Sequence, residues 1–193
     1  SKVEKMVELF RSYPEHGWLI HRMNHINPAG EEVEIAEEDQ KQFLLQETGD
    51  YQKEARTKKV NFILPATSAL VFRRELLEKI FPVPQELRIT ADNYLKFASL
   101  MNAPVIVCDE VLSSQRIHGN NLYTNQDRNT KAFRKKQRSI NYHISRGLWK
   151  IDKEQNFSLR MVLGVGKSAL KDLDFQDMAK ATGLAFQLIV NGK

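Results

Sequence analysis

Apolar residues at Val3, Met6, Val7 and Phe10 fall on one face of a helix, and Pro14 with Gly17 ends that segment. The period then changes. Gly17 to Met23 is a short run rich in β-forming residues and predicts a strand, and Asn27-Pro28-Ala29-Gly30 predicts a turn. Residues 31 to 59 carry no regular pattern. They are acidic first (Glu31, Glu32, Glu34, Glu37, Glu38, Asp39) and basic later (Lys53, Arg56, Lys58, Lys59), and read as solvated surface. Asn61 to Pro65 leads into a strand at Ser68 to Phe72, then a helix from Arg74 to Ile80 that Pro82 and Pro84 stop. Thr90 is expected to cap a helix from Ala91 to about Met101. Val105 to Val111 is an apolar strand, continued outward as extended chain over 112–118. Helical patterns follow over 129–150, 157–172 and 174–190, separated by Gly147, Asn156 and the Asp172-Leu173-Asp174 junction.

Strands interleaved with helices, then helices alone, predict an α/β fold with a helical C-terminal extension. The 193 residues are 41% hydrophobic and 27% charged, the balance of a folded soluble domain rather than a disordered chain. No apolar stretch approaches the roughly 18–20 residues that span a bilayer. The single cysteine, Cys108, sits inside an apolar run and reads as a buried thiol, which excludes an internal disulfide framework and fits a cytoplasmic protein.

The net charge of +5 is unevenly placed: residues 126–150 hold eight Lys or Arg against Asp127 alone. With Phe133, Ile140, Ile144 and Trp149 near one helical face, this segment reads as a packed helix with a solvated basic face. Peripheral membrane contact through 128–150 is the competing reading, and nucleic-acid binding ranks below it. Two motifs are set aside. Gly164-Val165-Gly166-Lys167-Ser168 ends like a phosphate loop, but the first Gly of that pattern would fall at Met161 and no strand precedes it. His21 and His25 are four apart on a strand and turn, and no Glu follows His21 as a zinc-protease helix requires.

The Thr67-Ser68 strand entry, Phe72-Arg73-Arg74, Asp92 and Gln115-Arg116-Ile117-His118-Gly119-Asn120-Asn121 follow in order. That order resembles the acceptor half of a family 2 glycosyltransferase, an inverting enzyme of GT-A fold. The resemblance implies a partial GT-A-type mixed sheet flanked by helices over 1–125, with the helical extension at 126–193. It makes Asp92 the catalytic base, at a helix start where the backbone dipole favours negative charge. It turns Arg116 and His118 toward the donor diphosphate, with Arg73, Arg74 and Asn121 in support, and implies a lid over the acceptor within 31–59. A divalent cation, Mg or Mn, is expected from the family, with His118 as a metal ligand in some members.

The implied partners are a nucleotide-sugar donor and a glycan or lipid-linked acceptor, as in cell-envelope polysaccharide synthesis at the inner face of the membrane. The chain departs from the family in two places. Ala91 stands where an acidic residue precedes the base, and no Asp-x-Asp metal motif lies upstream of the acceptor region. The donor half is therefore expected to be missing, the chain alone to be catalytically incomplete, and an uncovered sheet edge to favour self-association. The alternative function is a non-catalytic module of the same descent that binds a glycan, a membrane surface or a partner protein.

Overall fold

The computed structural model describes residues 1–34, 45, 47–57, 65–118, 129–151 and 156–191. It is a mixed α/β structure. Three strands, β1 (Trp18–Ile26), β2 (Leu70–Phe72) and β3 (Val105–Arg116), form a sheet in the order β2-β1-β3. β1 pairs antiparallel with β2, Trp18 opposite Phe72, and parallel with β3, Trp18 opposite Val105. A central strand is covered on both faces, and its residues Trp18 to His21 are fully buried. Side-chain alternation splits the core accordingly. Trp18, Ile20 and Val105 serve one face of the sheet, while Leu19, Ile106 and the buried Cys108 serve the other, against Leu9 and Phe10 of α1 (Lys2–Ser12).

β3 outruns its apolar stretch, because the ladder with β1 continues to Arg116 opposite Ile26. Between His21 and Met23 the register slips, so that Asp109 and Glu110 have no partner on β1, as in a β-bulge. Arg22 and Lys5 reach these two acids at 3.3 and 2.7 Å. Full burial makes charging His21 costly and lowers its pKa, partly opposed by the Arg22 carbonyl 2.8 Å from its Nδ1.

On the side away from α1 lie α2 (Gln52–Thr57), α3 (Arg74–Ile80) and α4 (Ala91–Asn102). α2 corrects the expectation of a solvated surface over 31–59. Ala55 and Leu45 are buried in the main core, and Arg56 donates 2.5 Å to the Met101 carbonyl of α4. Apolar contact, invisible in a stretch without period, holds this segment down. Much of 31–59, and the lid reading with it, lies outside the described residues.

α5 (Lys131–Leu148) is capped by Thr130, whose Oγ1 accepts from the Phe133 amide at 3.1 Å. It lays Ile140, Ile144 and Leu148 into the core that also holds Trp18 and Tyr94. Residues 125 and 126, where the extension was expected to begin, lie outside the described residues, and the helix beyond them shares the sheet's core. Contact is close at Gly147, where an added Cβ would stand 2.9 Å from the Tyr94 ring and nearer still to Pro84. Gly147→Ala is expected to lower stability by about 1–3 kcal/mol, read from the urea midpoint, because neither neighbour is the free end of a flexible side chain.

α6 (Asn156–Lys171) and α7 (Phe175–Val190) form a hairpin around Val162, Val165, Ala181, Leu184 and Leu188. The junction is a Schellman turn: the Asp174 amide donates to the Ala169 carbonyl at 2.9 Å and the Leu173 amide to Leu170 at 3.1 Å. Leu173 holds the left-handed position at φ 54°, where glycine is the favoured residue, and its side chain is exposed. Leu173→Gly is expected to raise stability by about 1 kcal/mol in thermal or urea unfolding, since it removes a left-handed penalty without uncovering a core.

Candidate active site

β1 and β3 run parallel and end together. Beyond β1 the chain reverses at 27–30, where the Gly30 amide donates to Asn27 O at 3.0 Å and the Asn27 amide to Glu31 O at 2.8 Å. The Ile117 amide donates 2.7 Å to Ile26 O, and Arg116 Nη1 donates 2.8 Å to both the Asn27 and Pro28 carbonyls. Arg116 therefore fastens the turn after β1 to the end of β3. His118 follows two residues later and is exposed. Asn121 lies outside the described residues.

Asp92 occupies the first turn of α4 as expected, but the cap before it is not the one predicted. Thr90 adopts φ 56°, ψ 28°, and its hydroxyl donates 2.6 Å to the Ile89 carbonyl. A capping hydroxyl needs an extended backbone to curl back onto the next amides, and the left-handed conformation withholds it. A β-branched residue held there stores about 1–3 kcal/mol of strain immediately before Ala91-Asp92.

The Asp92 carboxylate is mostly buried, and Oδ2 accepts from Lys96 Nζ at 2.8 Å. Lys96 is itself buried and also reaches Asn93 Oδ1 at 3.4 Å. Sequence reasoning missed Lys96, although its i, i+4 spacing from Asp92 on a predicted helix was the available signal. α4 enters β3 through Ala103 and Pro104 alone, and Trp18 Nε1 donates 3.2 Å to the Ala103 carbonyl, so the C-terminal end of α4 lies beside the starts of β1 and β3.

Arg73 and Arg74 lie at the start of β1. The Arg73 amide donates 2.8 Å to Gly17 O, just before β1 begins. The nine residues of β1, at about 3.3 Å each, put this point roughly 30 Å from the Arg116 end. Arg73 gathers the C-terminal end of α1, with Nε donating 2.8 Å to His16 O, Nη2 donating 2.6 Å to Phe10 O, and the guanidinium 4.7 Å from the Phe10 ring centre. Arg74 is exposed and pairs with Glu78 along its own helix. Neither arginine is brought to Asp92.

Among the described residues, no group of three or more His, Cys, Asp or Glu side chains converges to hold a metal ion. His118 would contribute one imidazole, short of a site for the oxygen-seeking Mg or Mn ion expected from sequence. A cavity of about 670 Å³ lies between α1 and β3, lined by Lys5, Glu8, Asn24 and Glu110 among others. It involves neither Asp92 nor His118.

The basic segment looks different once folded. Arg138 is fully buried and donates to Asp172, Asp174 and Asp177 at 2.5, 3.0 and 2.9 Å. Arg134 doubly engages Asp172, and Lys135 stands 3.7 Å from Asp174. Arg146 lies 3.7 Å from Glu86. Four of the eight cations that made the segment conspicuous thus face acids from elsewhere in the chain, most of them at the α6–α7 junction. Hydrogen bonds from Arg134 and Arg138 lower the Asp172 pKa to about 2. Asp174 is lowered too, first by the Asp177 amide and then by Lys135 and Arg138.

Over 128 residues the chain is 30% identical to a protein of Nostoc sp. (strain PCC 7120 / SAG 25.82 / UTEX 2576) named an uncharacterized glycosyltransferase. The match takes in 62% of this chain and 36% of that protein, so the chain spans little more than a third of its relative's length. No family model matches the chain, and no solved structure matches it. No helix among the described residues is long and apolar enough to cross a membrane.

Proposed function

We propose that this chain is the acceptor-side part of a glycosyltransferase of family 2, GT-A type, which moves a sugar from a nucleotide-sugar to a hydroxyl acceptor with inversion. The observation that carries the reading is a mostly buried carboxylate, Asp92, in the first turn of α4 with one oxygen held by Lys96, in a chain whose two parallel strands end together just before His118. Carboxyl ends of strands are where α/β sheets bind ligands. The similarity to a protein named a glycosyltransferase supports the same class.

Inverting transfer needs one base to take the acceptor proton as the hydroxyl oxygen attacks the anomeric carbon. Asp92 fills that role, with Lys96 holding Oδ2 so that the other oxygen is presented to the acceptor. The departing nucleoside diphosphate needs positive charge, which His118 and the Arg116 end of β3 supply in part. A divalent cation would add to it, with oxygen ligands from outside the described residues.

One observation favours the alternative of a non-catalytic, glycan- or partner-binding module: the Asp92 carboxylate is already engaged by Lys96. Transfer from a panel of nucleotide-sugars, by the protein containing this chain, separates the two. Turnover that depends on Asp92 supports the enzyme. Glycan binding without turnover, unchanged in Asp92→Asn, supports the module.

A further inference from the structure

α7 is apolar on two opposite faces. Asp177, Ala181, Leu184 and Leu188 are buried on the inner one. Opposite them, Phe175, Phe186, Ile189 and Val190 lie within an arc of roughly 120°, completed by Ala179, Thr182 and Gly183, with no charged residue in it. Phe175 is 73% exposed and Phe186 66%. A helix apolar all round is a buried helix, and this one is covered on one side only.

The exposed apolar surface is concentrated here. Among the described residues, of twelve large apolar side chains that stand exposed, seven fall between Leu163 and Val190, including Leu163 and Leu170 on α6 and Leu173 at the junction. The charge around them has one sign. The exposed ionised side chains of the two helices are Lys167, Lys171 and Lys180, whereas the acids of the hairpin, Asp172, Asp174 and Asp177, turn inward to Arg138 and its neighbours.

We propose that the outer face of α7 seats on an anionic lipid surface, lying in the plane of the bilayer interface. Three observations select that occupant. An apolar face on a hairpin whose exposed ionised side chains are lysines alone complements an anionic surface. Self-pairing would bring the same lysines together from both copies, because a two-fold contact repeats each patch. The sixteen residues of α7 reach about 24 Å, too short for a bilayer core of about 30 Å, so the helix lies along the surface. This docking face stands apart from Asp92 and does not depend on the sugar-transfer reading.

The test is co-sedimentation of the full chain with vesicles of phosphatidylcholine alone and of phosphatidylcholine mixed with phosphatidylglycerol, alongside light scattering without lipid. The expected result is binding to the mixed vesicles, weakened by salt and reduced at least about tenfold by Phe175→Glu with Phe186→Glu, at an unchanged melting temperature. A triple Lys→Glu change at 167, 171 and 180 should abolish the preference for anionic vesicles. Three results would each overturn the proposal: no binding by the parent chain, undiminished binding by the double variant, or a lipid-free dimer that the double variant splits.

Discussion

Asp92→Asn is expected to slow sugar transfer by about 100- to 10,000-fold, the contribution of one positioned proton acceptor, while the protein stays folded but melts lower because buried Lys96 loses its counter-charge. The amide keeps the size of the carboxylate and a hydrogen-bonding oxygen but cannot take up the acceptor's proton at neutral pH. In barrier height this is roughly 3–5 kcal/mol, and it should appear in kcat more than in KM, because the proton moves only as the new bond forms. Lys96→Met should act differently. It leaves the base in place but frees its orientation, so transfer falls less, and the remaining activity still disappears when Asp92→Asn is added. Initial rates with a fixed donor and varied acceptor, together with melting curves, check both. Undiminished turnover by a well-folded Asp92→Asn protein would remove Asp92 from the chemistry.

Arg138→Ala should destabilise the C-terminal helices by about 3–5 kcal/mol, the usual loss when one partner of a buried ion cluster is deleted and the others remain. Three carboxylates converge on this guanidinium, and two of them have no second cation as close. Arg138→Lys should recover only part of the loss, since a single ammonium cannot address three acids in a planar fork.

The same cluster sets an acid limit. Asp172 titrates near 2 in the folded chain against 3.8 for the free group. Its contribution is therefore complete above about pH 4 and is lost as pH falls from there toward 2. His21 acts earlier: burial lowers its pKa below 6.5, so acidification through that range already favours unfolding. Urea midpoints measured from pH 7 to pH 2 should decline in those two stages. A variant with His21→Gln should lessen the first, and a double Arg134→Ala, Arg138→Ala variant should lose most of the second.

Much of the fold can be read from the sequence because its signals are local. The helix at Arg74–Ile80 falls where Pro82 and the apolar spacing put it, and the C-terminal helices lie within two residues of their predicted ends. The parts that could not be read depend on distance. Nothing near residues 50–57 reveals that Ala55 will be buried, because the surfaces that cover it come from α4 and α6. Thr90 is a good cap by residue type, yet its backbone takes the left-handed conformation, which residue type does not foretell. The basic run at 128–150 invites a binding reading only while Asp172, Asp174 and Asp177, some forty residues away, are left out of view.

For the candidate site, the sequence places Asp92 in a helix start and His118 beyond a strand end, and it cannot show that Arg73 and Arg116 stand at opposite ends of β1.

Gly147 carries a consequence for descent. Tyr94 fills the hollow that this glycine leaves, only two positions along α4 from Asp92. In a family of such chains the residues at 94, 84 and 147 cannot drift independently: a lineage that gains bulk at 147 has to shed it at one of the other two, or else tilt the helix that carries its carboxylate.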